Sequence, residues 1–149
     1  MVYFISSQGH PRVLIGHPGQ RKNRDLVGLL NEIGYEADSA QNGRDLFFKA
    51  RQHADYQAIL ISDAVDSPEI LELVQQLRKD PHTAKIPIGL LPRLEYVERA
   101  RRIARDHEKV EAFPWPYTAE TAQFELDQLA ALSDSDWPTP QERLDQAAT

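Results

Sequence analysis

Residues 58–64 read Ala-Ile-Leu-Ile-Ser-Asp-Ala, and this short run constrains the fold of the chain more than any other stretch. Consecutive aliphatic residues with no polar alternation are typical of a strand that is buried on both faces of a sheet. The run ends abruptly at Ser62 and Asp63. In open α/β sheets, ligands and chemistry lie beyond the carboxyl ends of such strands. We therefore expect these two side chains at any active site that the chain has.

The composition is that of an ordinary globular domain: 149 residues, of which 41% are hydrophobic and 27% charged. The chain has no cysteine, which excludes disulfides, thiolate metal ligands and a cysteine nucleophile, and which fits a cytoplasmic protein. A net charge of −6 argues against nonspecific nucleic-acid binding by the domain as a whole. No apolar run approaches the roughly 18 residues of a membrane span.

Strand-like runs alternate with helical patterns along the chain, each separated by turn residues such as Gly34 and Asn42-Gly43. Five strands alternating with five helices predict a parallel sheet with helices on both faces, in the flavodoxin-like α/β order 2-1-3-4-5. The predicted strands are 12–16, 35–40, 57–62, 86–91 and 110–113; the predicted helices are 20–33, 45–53, 68–80, 94–107 and 118–132. We expect one domain over 11–132, an N-terminal extension over 1–10 and a linker-like tail over 133–149.

Several segments, taken in order and spacing, resemble the receiver domains of two-component response regulators. The resemblance covers about residues 12–132 and implies the CheY-like form of the flavodoxin-like fold. It rests on 12–15 as a first strand, 29–35 as a helix end, Asn42-Gly43 before Asp45-Leu46, 55–61 before the phosphorylation site, 71–81 as a third helix, Ile86-Pro87-Ile88, and Pro116-Tyr117-Thr118.

The receiver resemblance also implies where a phosphorylation site would lie. In the family, two acidic residues after the first strand hold Mg²⁺, and an aspartate at the end of the third strand accepts the phosphoryl group. In this chain the acidic pair is replaced by His17 and Pro18, and the acceptor position falls on Ser62. A one-residue slip would instead place it on Asp63. We prefer Ser62, because the slip needs compensation in the following loop.

Two further receiver positions are also substituted. The family has a serine or threonine after the fourth strand and a lysine before a proline after the fifth; here they fall on Pro92 and Trp115. The aromatic residue of the fifth strand falls near Phe113. The resemblance thus implies a pseudo-receiver without a magnesium cage and without the usual phosphorylation site. Trp115 either seals this pocket, offers an apolar patch to a partner or packs in the core, and its bond to Pro116 is a candidate cis bond.

We therefore expect a non-enzymatic signal-transduction module that acts through protein–protein contacts, with a protein partner or with other domains of a longer chain. Homodimerisation through helix 4, strand 5 and helix 5, the usual receiver interface, is the related possibility. That face carries mixed charge at helical spacing, including Arg99, Arg101 and Arg105. No aromatic residues lie among these arginines to stack on bases, so we predict no nucleic-acid partner. Because no apolar run is long enough to span a bilayer, we also predict no membrane partner.

Two alternatives for the function stay open. One is an atypical receiver phosphorylated on Asp63. The other is a small-molecule or nucleotide binder at the turn 16–19, which follows a strand, opens a helix and has basic residues nearby. A metal site from Asp63, Asp66 and His17 does not match a recognised ligand spacing, so we predict neither a metal nor a cofactor. No catalytic triad or paired catalytic carboxylates are recognisable, so we predict no enzyme.

Overall fold

The structure is a computed structural model that describes residues 11–53 and 55–133. The predicted N-terminal extension over 1–10 and all but the first residue of the predicted tail lie outside the described residues.

Five strands and five α-helices alternate along the described chain. The strands are β1 (Arg12–Gly16), β2 (Glu36–Ala40), β3 (Tyr56–Ser62), β4 (Ile88–Leu91) and β5 (Val110–Ala112). The α-helices are α1 (Gln20–Glu32), α2 (Gly43–Gln52), α3 (Ile70–Lys79), α4 (Val97–Asp106) and α5 (Ala119–Ala130). A 3-10 turn, Leu94–Tyr96, precedes α4.

All strand pairs are parallel, and the sheet has the order β2-β1-β3-β4-β5. This confirms the predicted flavodoxin-like, CheY-like topology. Because β3 lies at the centre, all its inner residues need apolar neighbours on both faces, which explains the unbroken aliphatic run in its sequence. The carboxyl ends of β1, β3, β4 and β5 meet at one edge of the sheet, which we call the C-terminal edge.

Side chains of alternate strand residues point to opposite faces of the sheet and pack into two separate core layers. Ile59 and Ile61 pack with α2, α3 and α4, whereas Ala58 and Leu60 pack with α1 and α5. The helices close these layers with fully buried residues: Leu46, Leu73 and Leu77 on the first face and Leu26, Leu30, Leu126 and Leu129 on the second. None of the described helices is long and apolar enough to cross a membrane.

Two helix ends carry residues whose chemistry favours these positions. Gly34 ends the first helix segment with φ of 93°, a left-handed conformation that suits glycine, and its N–H donates to the carbonyl of Asn31. Thr118 caps α5, where its hydroxyl accepts from the N–H of Thr121 at 3.1 Å.

Two details of the predicted fourth helix were wrong, and the candidate cis bond at Trp115–Pro116 is not found. The fourth helix was predicted to begin at Leu94 with that residue inward, but Leu94 belongs to the 3-10 turn and is 88% exposed. The buried residues of α4 are Ala100 and Ile103. Among the described residues, the cis peptide bond is Ser67–Pro68, not Trp115–Pro116.

Arg78 holds the opposite edge of the sheet, where β4 and β5 begin. Its guanidinium donates to the carbonyls of Glu108 at 2.7 Å, Ile86 at 2.8 Å and Lys109 at 3.0 Å. Burial lowers the pKa of Arg78 to about 10, against the opposing charge of Glu108. These bonds connect the end of α3 to the residues just before β4 and β5. They thereby fix the position of these two strands along the strand direction.

Glu125 is a buried acid on the inner face of α5. It is 2% exposed, and neither carboxyl oxygen has a hydrogen-bond partner in the described part of the chain. Burial raises the pKa of Glu125 from its ordinary value to about 8. The group is therefore mainly protonated at neutral pH, and the pattern of Ala122, Leu126 and Leu129 gave no sign of it.

We predict that Glu125→Gln stabilises the protein at high pH only. The carboxyl with the raised pKa favours the folded state fully below its unfolded pKa, and this contribution is lost as pH rises through about 8. At pH 9 the free energy of unfolding of the variant should exceed that of the parent by roughly 1–4 kcal/mol, and at pH 4 the two should agree within about 0.5 kcal/mol.

Urea denaturation at the two pH values measures this difference. Glu120→Gln, an exposed change on the same helix, is the matched control and should show no such dependence on pH. Equal effects of the two substitutions at both pH values would contradict an unpartnered acid at Glu125.

Candidate functional site

The C-terminal edge gathers most of the residues predicted at the site. Ser62 ends β3, His17 follows β1, Pro92 follows β4 and Trp115 follows β5 by a short loop. The edge is thus assembled from segments that are distant in sequence, because parallel strands end side by side. The side chains at these positions, and not the topology, decide what the edge can do.

Ser62 is 3% exposed, so it is almost sealed from solvent. Its hydroxyl oxygen accepts from the backbone N–H of Ala64 at 3.1 Å, which shapes the turn that leaves β3. Among the described residues, no histidine or carboxylate is hydrogen-bonded to this hydroxyl. Ser62 therefore lacks the neighbouring base that would activate a serine nucleophile.

Asp63 turns toward the loop after β4 and is held there by Arg93. Its Oδ1 accepts from the backbone N–H of Arg93 at 2.8 Å, and its Oδ2 accepts from the Arg93 Nε at 3.1 Å. The Asp63 side chain is 5% exposed, while that of Arg93 is 56% exposed and also lies over the Tyr96 ring at 4.7 Å. The carboxylate therefore ties the end of β3 to the loop between β4 and α4, which we call the β4–α4 loop.

His17 closes the turn after β1 on itself. Its Nδ1 accepts from the backbone N–H of Gly19 at 2.8 Å, and its carbonyl accepts from the amide of Asn23 at 2.7 Å. Burial, followed by the charge of Lys22, lowers the pKa of His17, so the ring is neutral at neutral pH. Because the Gly19 N–H is used internally, the turn offers one donor fewer to an anion at the start of α1. Pro18, the other residue at the acidic-pair position, is exposed and adds no ligand.

Trp115 forms an aromatic cluster with residues from the other side of the edge. Its ring meets the His17 ring edge-on at 5.3 Å between centroids. The Lys22 ammonium lies 5.2 Å from the Trp115 ring and 4.8 Å from the Tyr117 ring, and it donates to the Tyr117 hydroxyl at 3.2 Å. The Trp115 side chain is half-buried against the core layer under α1 and α5. Trp115 thus both packs on the core and helps to cover this part of the edge.

Pro92 borders a cleft on the face of α4 and β5. The cleft has a volume of about 230 Å³ and is also lined by Val97, Arg101 and Ala112. Phe113 packs into the core layer under α1 and α5, whereas Ala112 packs on the opposite layer. The β5 residue that packs on the α4 side of the sheet is therefore Ala112, whose side chain is a methyl group. The Phe113 ring packs on the other side of the sheet.

The edge does not assemble a metal site from the residues that the structure describes. No group of three or more histidine and acidic side chains is placed there to bind an ion. Asp66 is exposed, and its carbonyl accepts from the N–H of Gly43, so this residue ties the β3–α3 loop to α2. Asp63 is engaged by Arg93 and His17 by Gly19, which leaves no pair of convergent free carboxylates for Mg²⁺.

Sequence reasoning missed the partners of the two most informative side chains. No contact of either Arg93 or Lys22 was predicted from the sequence. The available signal was their position next to substituted site residues, because Arg93 follows Pro92 and Lys22 lies on the first turn after the His17 turn. The distances to Asp63 and Trp115 depend on the loops and could not be read from spacing.

No protein-family model matches the sequence, and no curated protein matches it. Solved structures share the fold at low identity. The chemotaxis response regulator CheY4 of Vibrio cholerae is 19% identical with a TM-score of 0.67, over 80% of this chain and 98% of that one. The receiver domain of a Pseudomonas aeruginosa sensor histidine kinase, solved with magnesium in its active-site cleft, is 15% identical with a TM-score of 0.70, over 81% of this chain and 98% of that one. The response regulator TrrA of Thermotoga maritima, bound to Mg²⁺ and beryllium fluoride, is 21% identical with a TM-score of 0.67, over 80% of this chain and 98% of that one. The chain therefore has the receiver-domain fold.

We predict that the Asp63 carboxylate, more than the Arg93 guanidinium, fixes the β4–α4 loop. Asp63→Ala removes the charged acceptor of the Arg93 backbone N–H and should lower the free energy of unfolding by about 1–3 kcal/mol. Arg93→Ala removes a guanidinium that is 56% exposed but keeps the backbone N–H as a donor to Asp63, so its cost should stay below about 1 kcal/mol.

Hydrogen exchange of the residue 93 amide distinguishes the two variants. It should accelerate in Asp63→Ala and change little in Arg93→Ala. The reverse order of effects would show that the guanidinium, not the backbone bond, holds the loop.

Proposed function

We propose that this chain is a non-enzymatic signal-transduction module, built on the receiver fold, that acts through protein–protein contacts without phosphorylation at the usual position. The single observation that carries the proposal is the bond from Asp63 to the Arg93 N–H and guanidinium. In receivers, as the family resemblance implies, the phosphoryl group reaches across to the end of the fourth strand. Here a carboxylate of the chain itself makes the connection from β3 to the β4–α4 loop.

The neighbouring substitutions support the same proposal. Ser62 at the acceptor position is buried and bonded to Ala64, and the positions of the acidic pair hold a neutral histidine and a proline. The Lys22 ammonium lies against the ring of Trp115, the residue at the replaced lysine position, and against the ring of Tyr117. A phosphoryl dianion at this edge would thus lack both a metal and a free lysine.

Under this proposal the module has one constitutive arrangement of the β4–α4 loop. Its contacts are with a protein partner or with other domains of a longer chain, in the cytoplasm, and it has no use for a cofactor. The face of α4, β5 and α5 is the candidate surface. It presents Arg101 and Arg105 beside the cleft at Ala112, and two aromatic residues of the α5 region, Tyr117 and Phe124, are 71% and 61% exposed. A homodimer through this face is one form of the same proposal.

Neither alternative function gains a specific supporting observation. An atypical receiver needs Asp63 free to attack a phosphoryl donor, but its two oxygens are held by Arg93. A nucleotide binder at the 16–19 turn needs free backbone donors, but the Gly19 N–H is bonded to His17. Both remain as outcomes of the experiments below.

The proposal predicts that a phosphoryl mimic does not act on this protein. Addition of beryllium fluoride and Mg²⁺ should leave the melting temperature and the amide spectrum unchanged, because no free acceptor carboxylate and no magnesium cage are available. NMR of the ¹⁵N-labelled protein measures this at Asp63, Arg93 and Ala64.

A mimic that binds with shift changes centred on Asp63 would overturn the proposal in favour of the atypical receiver. Asp63→Asn serves as the matched variant, because it keeps the size of the side chain and removes the nucleophile. Nucleotides replace the mimic in a parallel titration, and saturable shifts at Gly16 and Gly19 would instead support the nucleotide binder.

A further inference from the structure

The outer edge of β2 has backbone groups that no other part of the described chain uses. In the β1–β2 pair, the Glu36 N–H donates to Pro11 at 2.9 Å and the Ala40 carbonyl accepts from His17 at 3.1 Å. Because alternate residues of a parallel strand bond to the same neighbour, Glu36, Asp38 and Ala40 face β1. The N–H and C=O groups of the two residues between them, Ala37 and Ser39, therefore point away from the sheet.

Three of these four outward groups have no partner among the described residues. The Ser39 carbonyl accepts from the Lys49 ammonium at 2.6 Å. The Ser39 N–H and both groups of Ala37 remain, which makes two donors and one acceptor along one edge. Unpaired edge groups of this kind are a template for an added strand unless side chains cover them.

The described residues leave the β2 edge uncovered, and it forms the floor of a cleft. The cleft has a volume of about 590 Å³ and lies between α1, which contributes Asn23, Arg24 and Val27, and α2, which contributes Asp45 and Lys49. It follows the strand from Ala37 to Ala40. Neither helix folds over the edge, so an extended segment can reach the outward groups of Ala37 and Ser39.

Basic side chains outnumber the unpaired acidic one in this cleft. Asp38 forms an ion pair with Arg12 at 2.7 Å and accepts from the Tyr56 hydroxyl, whereas Asp45 accepts only from the neutral Asn42 amide at 3.1 Å. Arg24 and Lys49 likewise form no ion pair among the described residues, so the two basic side chains leave the cleft with a positive balance against Asp45. They lie on opposite flanks, Arg24 on the α1 side and Lys49 on the α2 side, so successive side chains of an added strand would face one and then the other.

We propose that the open edge of β2 binds an extended acidic segment of a protein partner as a sixth strand of the sheet. The backbone groups of Ala37 and Ser39 hold the segment, and acidic side chains at two successive positions pair with Arg24 and Lys49. β2 is the outer strand at one side of the sheet, and β5 is the outer strand at the other side. The proposed surface is therefore separate from the face of α4 and β5, and the proposal stands independently of the function proposed above.

A second copy of the chain fits this edge poorly. Symmetric antiparallel pairing that uses Ala37 and Ser39 of both copies is centred on Asp38. It would set the two Asp38 residues directly opposite each other, with Cα atoms about 4.5 Å apart, where like charges destabilise the pair. An acidic heterologous segment avoids this contact and neutralises Arg24 and Lys49.

The test uses NMR of the ¹⁵N-labelled full chain with two capped hexapeptides, Thr-Val-Glu-Glu-Val-Thr and its control Thr-Val-Lys-Lys-Val-Thr. We expect the acidic peptide to bind with a Kd of about 1 mM or tighter, to shift the amides of Ala37 and Ser39, and to slow their exchange. The lysine peptide should bind at least about tenfold more weakly.

A charge-swap variant makes the test independent of lost folding. In Arg24→Glu with Lys49→Glu, the preference should invert, so that the lysine peptide binds more tightly than the acidic one. The matched control, Arg21→Glu with Arg44→Glu, changes exposed basic residues of the same two helices that do not line the cleft, and it should keep the parental preference.

Three results would overturn the proposal. They are no shift at Ala37 and Ser39 with the acidic peptide, equal binding of both peptides to the parent and the charge-swap variant, or protection of these amides that grows with protein concentration alone. The last result would show that a second copy occupies the edge.

Discussion

The burial of β3 on both faces is the constraint on which the rest of the structure depends. Five consecutive residues of this strand, Ala58 to Ser62, are at most 3% exposed, and each of the first four faces one of two core layers. A strand in this position carries polar side chains only where it ends. At the carboxyl end of β3 the polar side chains are therefore Ser62 and Asp63, and the loop that follows β4 supplies the partner of Asp63.

The partner that Asp63 receives decides the character of the edge. A carboxylate that is nearly sealed from water is stable only with hydrogen-bond donors, and Arg93 provides both a backbone N–H and a guanidinium. Once the carboxylate is so engaged, the β4–α4 loop has a fixed connection to β3. The loop then leads directly into the 3-10 turn and α4, so a bond at the edge sets the start of the face that we propose for partner contacts.

The fold was more predictable than the edge because the two depend on different kinds of information. Hydrophobic periodicity located the helices, because each turn of a packed helix has to bury apolar residues on the same face. The aliphatic run and the turn residues located the strands. The edge depends on single contacts between loops. The register that places Ser62 at the strand end followed from spacing, but the choice of Arg93 by Asp63 did not. Leu94 was misplaced for the same reason, since a 3-10 turn rotates residues away from the face that helical periodicity predicts.

The environment of Lys22 supports the proposal that this edge is not phosphorylated. An ammonium that lies over two aromatic rings is partly compensated by their π faces, and the neutral His17 beside it adds no further positive charge. The negative charge of Asp63 is likewise compensated by Arg93. Recruiting a phosphoryl dianion would require Lys22 to leave the rings and Asp63 to leave Arg93, with no metal site to offset these losses among the described residues. The charged side chains of Asp63 and Lys22 at this edge are thus already engaged within the chain, whereas Arg24 and Lys49 at the β2 cleft form no ion pair among the described residues.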